Sequence, residues 1–145
     1  MSVDQIVQLI QSAIQFGTVI LFGAMGEILT EKSGNLNLGV EGMMFMGGAL
    51  GLGAAFYYEK LAGAAVSAPL AVVIAIAASF LAGALAALLF SFLTITLRAN
   101  QNVTGLALTI FGTGVGQYIG EFMRVREGTY VAVSNTLKGA FNGSP

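Results

Sequence analysis

The sequence predicts an all-α, polytopic membrane protein of about four transmembrane helices, with a Gly/Asn-rich break between the first two. Three observations predict it. Of 145 residues, 56% are apolar and only 9% are charged, whereas a soluble domain carries roughly 25% charged residues. The mean hydropathy is +0.83, so too few polar groups exist to cover a water-facing surface. The apolar residues gather in runs near or above the roughly 20 residues a spanning helix needs, with short polar segments between them.

The first expected span covers 6–26. Gln8, Gln11 and Gln15 share one helical face there, either a solvated face or a polar stripe turned to other helices. The run follows Asp4 with no lysine or arginine ahead of it, which argues against a secretory signal peptide. Next comes GEILTEKSGNLNLGVEGMMFMGG, residues 26–48. Ser33, Gly34 and Asn35 form a turn-prone cluster. Leu36 and Leu38 then alternate with Asn37 and Gly39, a short extended pattern. Such a polar, glycine-broken segment is tolerated at membrane depth only where protein buries it or where it lines a cavity. Its geometry stays open between a simple loop and a re-entrant break.

The second expected span is 38–58. Gly47 and Gly51 make a small-residue pair that lets another backbone come close. Tyr57 and Tyr58 suit a membrane interface, and Glu59 and Lys60 mark water. The run 61–97 carries no charge, too long for one simple span. Pro69 resolves it, because proline is favoured at the first helical position. An interfacial loop at 61–68 and a tilted or projecting span at 69–97 follow. Ser79, Gly83, Ala87 and Ser91 repeat every four residues and read as a packing stripe. After the polar connection at 98–104, the fourth expected span is 105–123, with Gly112, Gly116 and Gly120 as a second small-residue seam. Glu121, Arg124, Arg126 and Glu127 form a charged exit, and 128–145 is mixed and Gly-rich. Four spans put Lys60, Arg124, Arg126 and Lys138 on one side and Lys32 and Arg98 on the other, a lean toward the first side being cytoplasmic.

Several chemistries are excluded. There is no histidine or cysteine, so no Ser/His/Asp or Cys/His set exists and no metal site of those ligands can form. No catalytic or metal-ligating residue is expected. No Gly-x-x-x-x-Gly-Lys loop is present to cradle nucleotide phosphates. The net charge is −1, which leaves no basic face for nucleic acid. A helix end in the headgroup zone is the plain reading of Glu27 and Glu31 and the favoured one for Glu31. Glu41 stands apart, since no charge follows it until Glu59. An ionisable group within a span costs about 2.5–3.5 kcal/mol on insertion scales and is a functional candidate by default; a carboxylate stabilised at a helix N-terminus is the competing reading.

Two segments carry a resemblance. The 26–48 stretch, with LRANQNVTGLALTIFGTG further on, resembles permease subunits of bacterial and archaeal ATP-binding cassette (ABC) importers. The branch is that for nucleosides and simple sugars, in the superfamily of ribose and branched-chain amino acid permeases. The first segment matches the pattern Gly-Glu…Ser-Gly-x-x-Asn-x-Gly-x-Glu-Gly at Gly26, Glu27, Ser33, Gly34, Asn37, Gly39, Glu41 and Gly42. The second matches Ala-Asn-Gln/Glu-x-Val-x-Gly at Ala99, Asn100, Gln101, Val103 and Gly105. Such permeases are longer, so the chain is identified as an amino-terminal half without the cytoplasmic coupling region.

The resemblance implies a multi-pass subunit of the cytoplasmic membrane. It implies partners too: ATPase subunits that use ATP, which this chain would not bind, a second permease subunit, and an extracellular solute-binding protein. Asn35, Asn37, Glu41, Asn100 and Gln101 are the expected polar groups near the path, since amides both donate and accept. Two other classes fit the residues. An ion-coupled secondary transporter would use a broken helix beside a carboxylate. A non-transporting assembly subunit would need only the glycine seams.

Overall fold

The computed structural model describes residues 2–128 and 130–134. Lys138 and the rest of the expected tail lie outside them. The described chain is all-α, with four long helices: α1 (Val3–Lys32), α2 (Val40–Ala62), α3 (Ala68–Ser91) and α4 (Gln101–Glu127). A 3₁₀ turn (Gly63–Ala65) extends α2, and a π turn (Phe92–Thr96) extends α3. With those turns, α1, α2 and α3 are each long and apolar enough to cross a membrane. α4 is less apolar, because Gln101, Asn102, Thr109, Thr113 and Gln117 interrupt it. It nevertheless lies beside α2 from Leu38 and Gly105 at one end to Lys60 and Glu127 at the other.

α1 continues past the expected 6–26 to Lys32. Its start is capped by Ser2, whose Oγ accepts from the Gln5 N–H while Gln5 Oε1 accepts from the Ser2 N–H, a capping box. The acidic residues Glu27 and Glu31 are therefore helical, and the break shrinks to 33–39. α3 begins at Ala68 with Pro69 in its first turn, where the missing N–H costs nothing.

α2 is the axis of the fold. α3 packs antiparallel along one side of it and α4 runs parallel along another. The α2–α3 contact is built on Gly47, Gly51 and Ser79. The Ser79 hydroxyl donates to the Gly47 carbonyl at 2.9 Å, and a Cβ on Gly51 would strike Ser79 Oγ. The α2–α4 contact is closer still. A Cβ on Gly42 would lie 2.5 Å from the Leu108 carbonyl oxygen, and one on Gly112 would lie 2.5 Å from the Gly42 carbonyl oxygen. Close approach of this kind supplies the dispersion contacts that hold helices together in lipid. At the far end, Lys60 Nζ pairs with Glu127 Oε2 at 2.6 Å. α1 contributes no buried residue and touches α2 chiefly where Gly23 faces Met44 and Val40.

The small-residue stripes do not all pack. On α3 the buried positions are Ala71, Ala82, Ala86 and Phe90, while Gly83 faces open space and Ala87 is exposed. On α4, Gly112 and Gly116 meet α2, but Gly120 faces open space. The cause is helical geometry. Each residue turns about 100°, so a four-residue repeat drifts about 40° per step. Ser79 and Ser91, three steps apart, point about a third of a turn away from each other.

The glycine contacts give a direct test. Gly42→Ala is expected to destabilise the protein by about 1–3 kcal/mol through overpacking. Gly83→Ala is expected to be neutral or stabilising by up to about 1 kcal/mol, from helix propensity alone. Thermal unfolding in detergent measures both.

Candidate functional site

α1 ends because Gly34 takes φ +85°, a conformation that glycine adopts without penalty. The Gly34 N–H then donates to the Glu31 carbonyl at 2.9 Å and the Asn35 N–H to the Thr30 carbonyl at 3.0 Å. That is a Schellman motif, and it turns the chain back along α1. The next residues do not rejoin a helix at once, so their N–H and C=O groups need partners from elsewhere.

Side chains supply them. The Leu36 N–H donates to Gln101 Oε1 at 2.9 Å. Gln101 Nε2 donates in turn to Asn35 Oδ1 at 3.0 Å and to the Gly34 carbonyl at 3.4 Å. The Asn37 N–H donates to Glu27 Oε1 at 3.0 Å. Asn37 Oδ1 accepts from the Gly39 N–H at 3.0 Å, an Asx turn. The Thr109 hydroxyl donates to the Leu38 carbonyl at 2.6 Å. Asn37 is only 5% exposed.

These contacts fix a depth. Leu36 lies level with Gln101, the first residue of α4. Leu38 is already level with Gly105 and Thr109, and Gly42 lies against Leu108, Thr109 and Gly112. On the other side, Val40 and Met44 face Gly23 of α1, more than two turns before that helix ends. α2 therefore starts roughly 11–14 Å below the ends of α1 and α4, at about 1.5 Å per residue. The 33–39 segment is a re-entrant descent between two longer helices.

A cleft of about 400 Å³ opens beside it. Thr30, Ser33, Asn35 and Asn37 line one wall, and Ala87, Phe90, Ser91 and Thr94 line the other. The second wall sits where α3 widens into its π turn. There the Leu97 N–H reaches the Phe92 carbonyl at 3.1 Å, and Thr94, 7% exposed, donates to the Phe90 carbonyl at 2.9 Å. Single π turns recur at functional sites. Arg98 follows in a left-handed conformation, φ 53°, and turns the chain into α4.

The five expected path residues do not converge on this cleft. Asn35 and Asn37 line it. Asn100 caps α4, its Oδ1 accepting from the Val103 N–H at 3.1 Å. Gln101 ties α4 to the re-entrant segment. Glu41, in the first turn of α2, faces a different cleft of about 550 Å³ between α1, α2 and α4. Five residues with no such role in the sequence reading enter the arrangement: Glu27, Thr30, Ser33, Thr94 and Thr109. Ser91, read as a packing position, faces the cleft instead.

Glu27 separates two expectations cleanly. Glu27→Gln keeps an Oε1 acceptor for the Asn37 N–H and is expected to stay near wild-type stability. Glu27→Ala leaves that buried N–H unpaired and is expected to cost about 1–3 kcal/mol. Hydrogen exchange at Asn37 reads the same bond, and it accelerates only in the alanine variant.

Comparison with known proteins places this geometry. Residues 9–141 match the family described as "Branched-chain amino acid transport system / permease component". The chain is 39% identical over 112 residues to the "Putative glucose ABC transporter permease protein TsgC13" of Haloferax volcanii, covering 77% of this chain and 31% of that protein. It is 30% identical over 120 residues to the "Guanosine ABC transporter permease protein NupQ" of Bacillus subtilis, covering 82% of this chain and 36% of that protein. The chain thus spans about a third of the length of these curated relatives. No solved structure matches it. A helical chain with three helices fit to cross a bilayer, matched to this family over most of its length, is a multi-pass protein of the cell membrane and belongs to the branched-chain amino acid transport permease family.

Proposed function

We propose that these residues form part of the membrane-spanning subunit of an ABC importer for nucleosides or simple sugars. The cleft beside the re-entrant segment would be one wall of the solute path. The observation that carries this reading is a cleft at a helix break, in a chain of this permease family, where Thr30, Ser33, Asn35, Asn37, Ser91 and Thr94 are set among the apolar Ala87, Leu88, Phe90 and Ile95. Its volume of about 400 Å³ falls in the range of about 300–1,000 Å³ usual for small-molecule sites. The relatives are named for glucose and for guanosine. Both solutes carry a hydroxyl-rich sugar, and amides and hydroxyls can donate to and accept from such groups.

In this reading Asn35, Thr30 and Ser91 face the solute. Asn35 Oδ1 accepts from Gln101, and the Thr30 and Ser91 hydroxyls donate to the Glu27 and Leu88 carbonyls, so the solute would meet the Asn35 amide N–H groups and the hydroxyl lone pairs. Asn37, Asn100 and Gln101 shape the break and the cap of α4. ATP would be bound and hydrolysed on separate ATPase subunits, with none held by this chain. A second permease subunit would complete the path, and an extracellular binding protein would deliver the solute. Alternating access would come from those partners moving one helix bundle against another.

Uptake of radiolabelled guanosine and glucose by cells making the assembled transporter tests this. Asn35→Ala and Ser91→Leu are expected to reduce uptake about three- to tenfold, the loss of one or two net hydrogen bonds, at unchanged membrane levels. Uptake that follows an ion gradient and persists without the ATPase would identify a secondary transporter instead. Unchanged uptake in both variants would remove the cleft from the path.

A further inference from the structure

We infer that the cleft between α1, α2 and α4 is the seat of a further transmembrane helix of the same permease, one that carries a lysine or arginine level with Glu41. The inference rests on the reading that these residues are part of a longer permease. Glu41 is exposed and lies more than two turns below the end of α4, beside the Gly42 crossing. A glutamate side chain is too short to reach the interface from there. Among the described residues no hydrogen bond or ion pair reaches it. The described basic side chains lie elsewhere: Lys32 and Arg98 near one end of the helices, Lys60, Arg124 and Arg126 at the other. A carboxylate turned to hydrocarbon at that depth is strongly unfavourable, and a facing cation removes the penalty.

The shape agrees with the charge. The cleft holds about 550 Å³ and extends from Glu41 along Phe45, Gly48 and Leu52 to Gly116 and Gly120. Gly48 and Gly120 both face open space where a side chain would otherwise stand. Small residues in such places let a neighbouring helix backbone approach closely. Lipid chains would fill the volume but offer Glu41 no donor. A second copy of this face would set Glu41 against another Glu41. The relatives are about three times as long as the matched segment, which leaves ample helices to fill the place.

The test uses the whole permease in native membranes. A cysteine at Gly48 is paired in turn with single cysteines along the later helices and oxidised. The expected result is a disulfide within one polypeptide, to a helix whose lysine or arginine lies one to two turns from the linked position. Should Gly48→Cys assemble poorly, Gly120→Cys is used in its place. Glu41→Leu is expected to lower the melting midpoint in detergent by roughly 5 °C, and Glu41→Gln by less. Three outcomes overturn the inference: a disulfide between two copies through Gly48→Cys alone, labelling of that cysteine by a lipid-dissolved maleimide, or a higher melting midpoint for Glu41→Leu. The crosslink reads helix neighbours whether or not solute moves, so it fails separately from the transport reading.

Discussion

The structure depends on one constraint: a stretch of non-helical backbone runs between helices and has no helical ladder to satisfy it. Between Ser33 and Gly39 the chain leaves α1 and descends along α4 before α2 begins. Unpaired N–H and C=O groups at that depth would each cost several kcal/mol. Side chains answer several of these groups. Gln101 uses both ends of its amide, Glu27 accepts one N–H, Asn37 turns its own side chain onto Gly39, and Thr109 donates to Leu38. The partners come from α1, α4 and the segment itself, so the bonds that satisfy the break also join the helices around it.

The glycines follow from the same descent. Once the chain has to pass between α1 and α4, its backbone must come close to theirs. Gly105 leaves room for Leu38, and Gly42 and Gly112 leave room for each other. Further down, Gly47 and Gly51 do the same for α3 around Ser79. The parallel run of α2 beside α4 is therefore set at its upper end by the re-entrant segment and at its lower end by the Lys60–Glu127 pair. The cleft is a by-product of that arrangement: α2 starts low, and the space above it is walled by the descending segment and by the π turn of α3.

Much of the fold was legible in the residues. Four helices, the place of Pro69, the Gly/Asn break and the small-residue contacts at Gly47, Gly51, Gly112 and Gly116 all follow from composition and local rules. The misreadings have physical causes. The role of Glu27 is not legible because nothing local reveals that the chain ten residues later folds back onto it. Thr109 gave no signal, since a threonine in a glycine-rich helix is equally at home facing lipid. Gly83, Ala87 and Ser91 fall in a four-residue repeat that slips around a 3.6-residue helix, so the repeat does not keep them on the face of α3 that meets α2. The path residues were chosen for their polarity, and polarity alone does not tell a group that faces a cavity from one spent on backbone. Asn100 and Gln101 are of the second kind.

The most direct measurement is the membrane depth of the break itself. Spin labels at Lys32→Cys, Leu38→Cys and Arg98→Cys in bilayers, read by accessibility to oxygen and to a water-soluble relaxer, rank the three positions. The account predicts that the label at 38 lies about 10 Å deeper than those at 32 and 98, as two turns of helix at 1.5 Å per residue require. A label at 38 level with the other two, in the headgroup zone, would make the segment an ordinary surface loop and contradict the account.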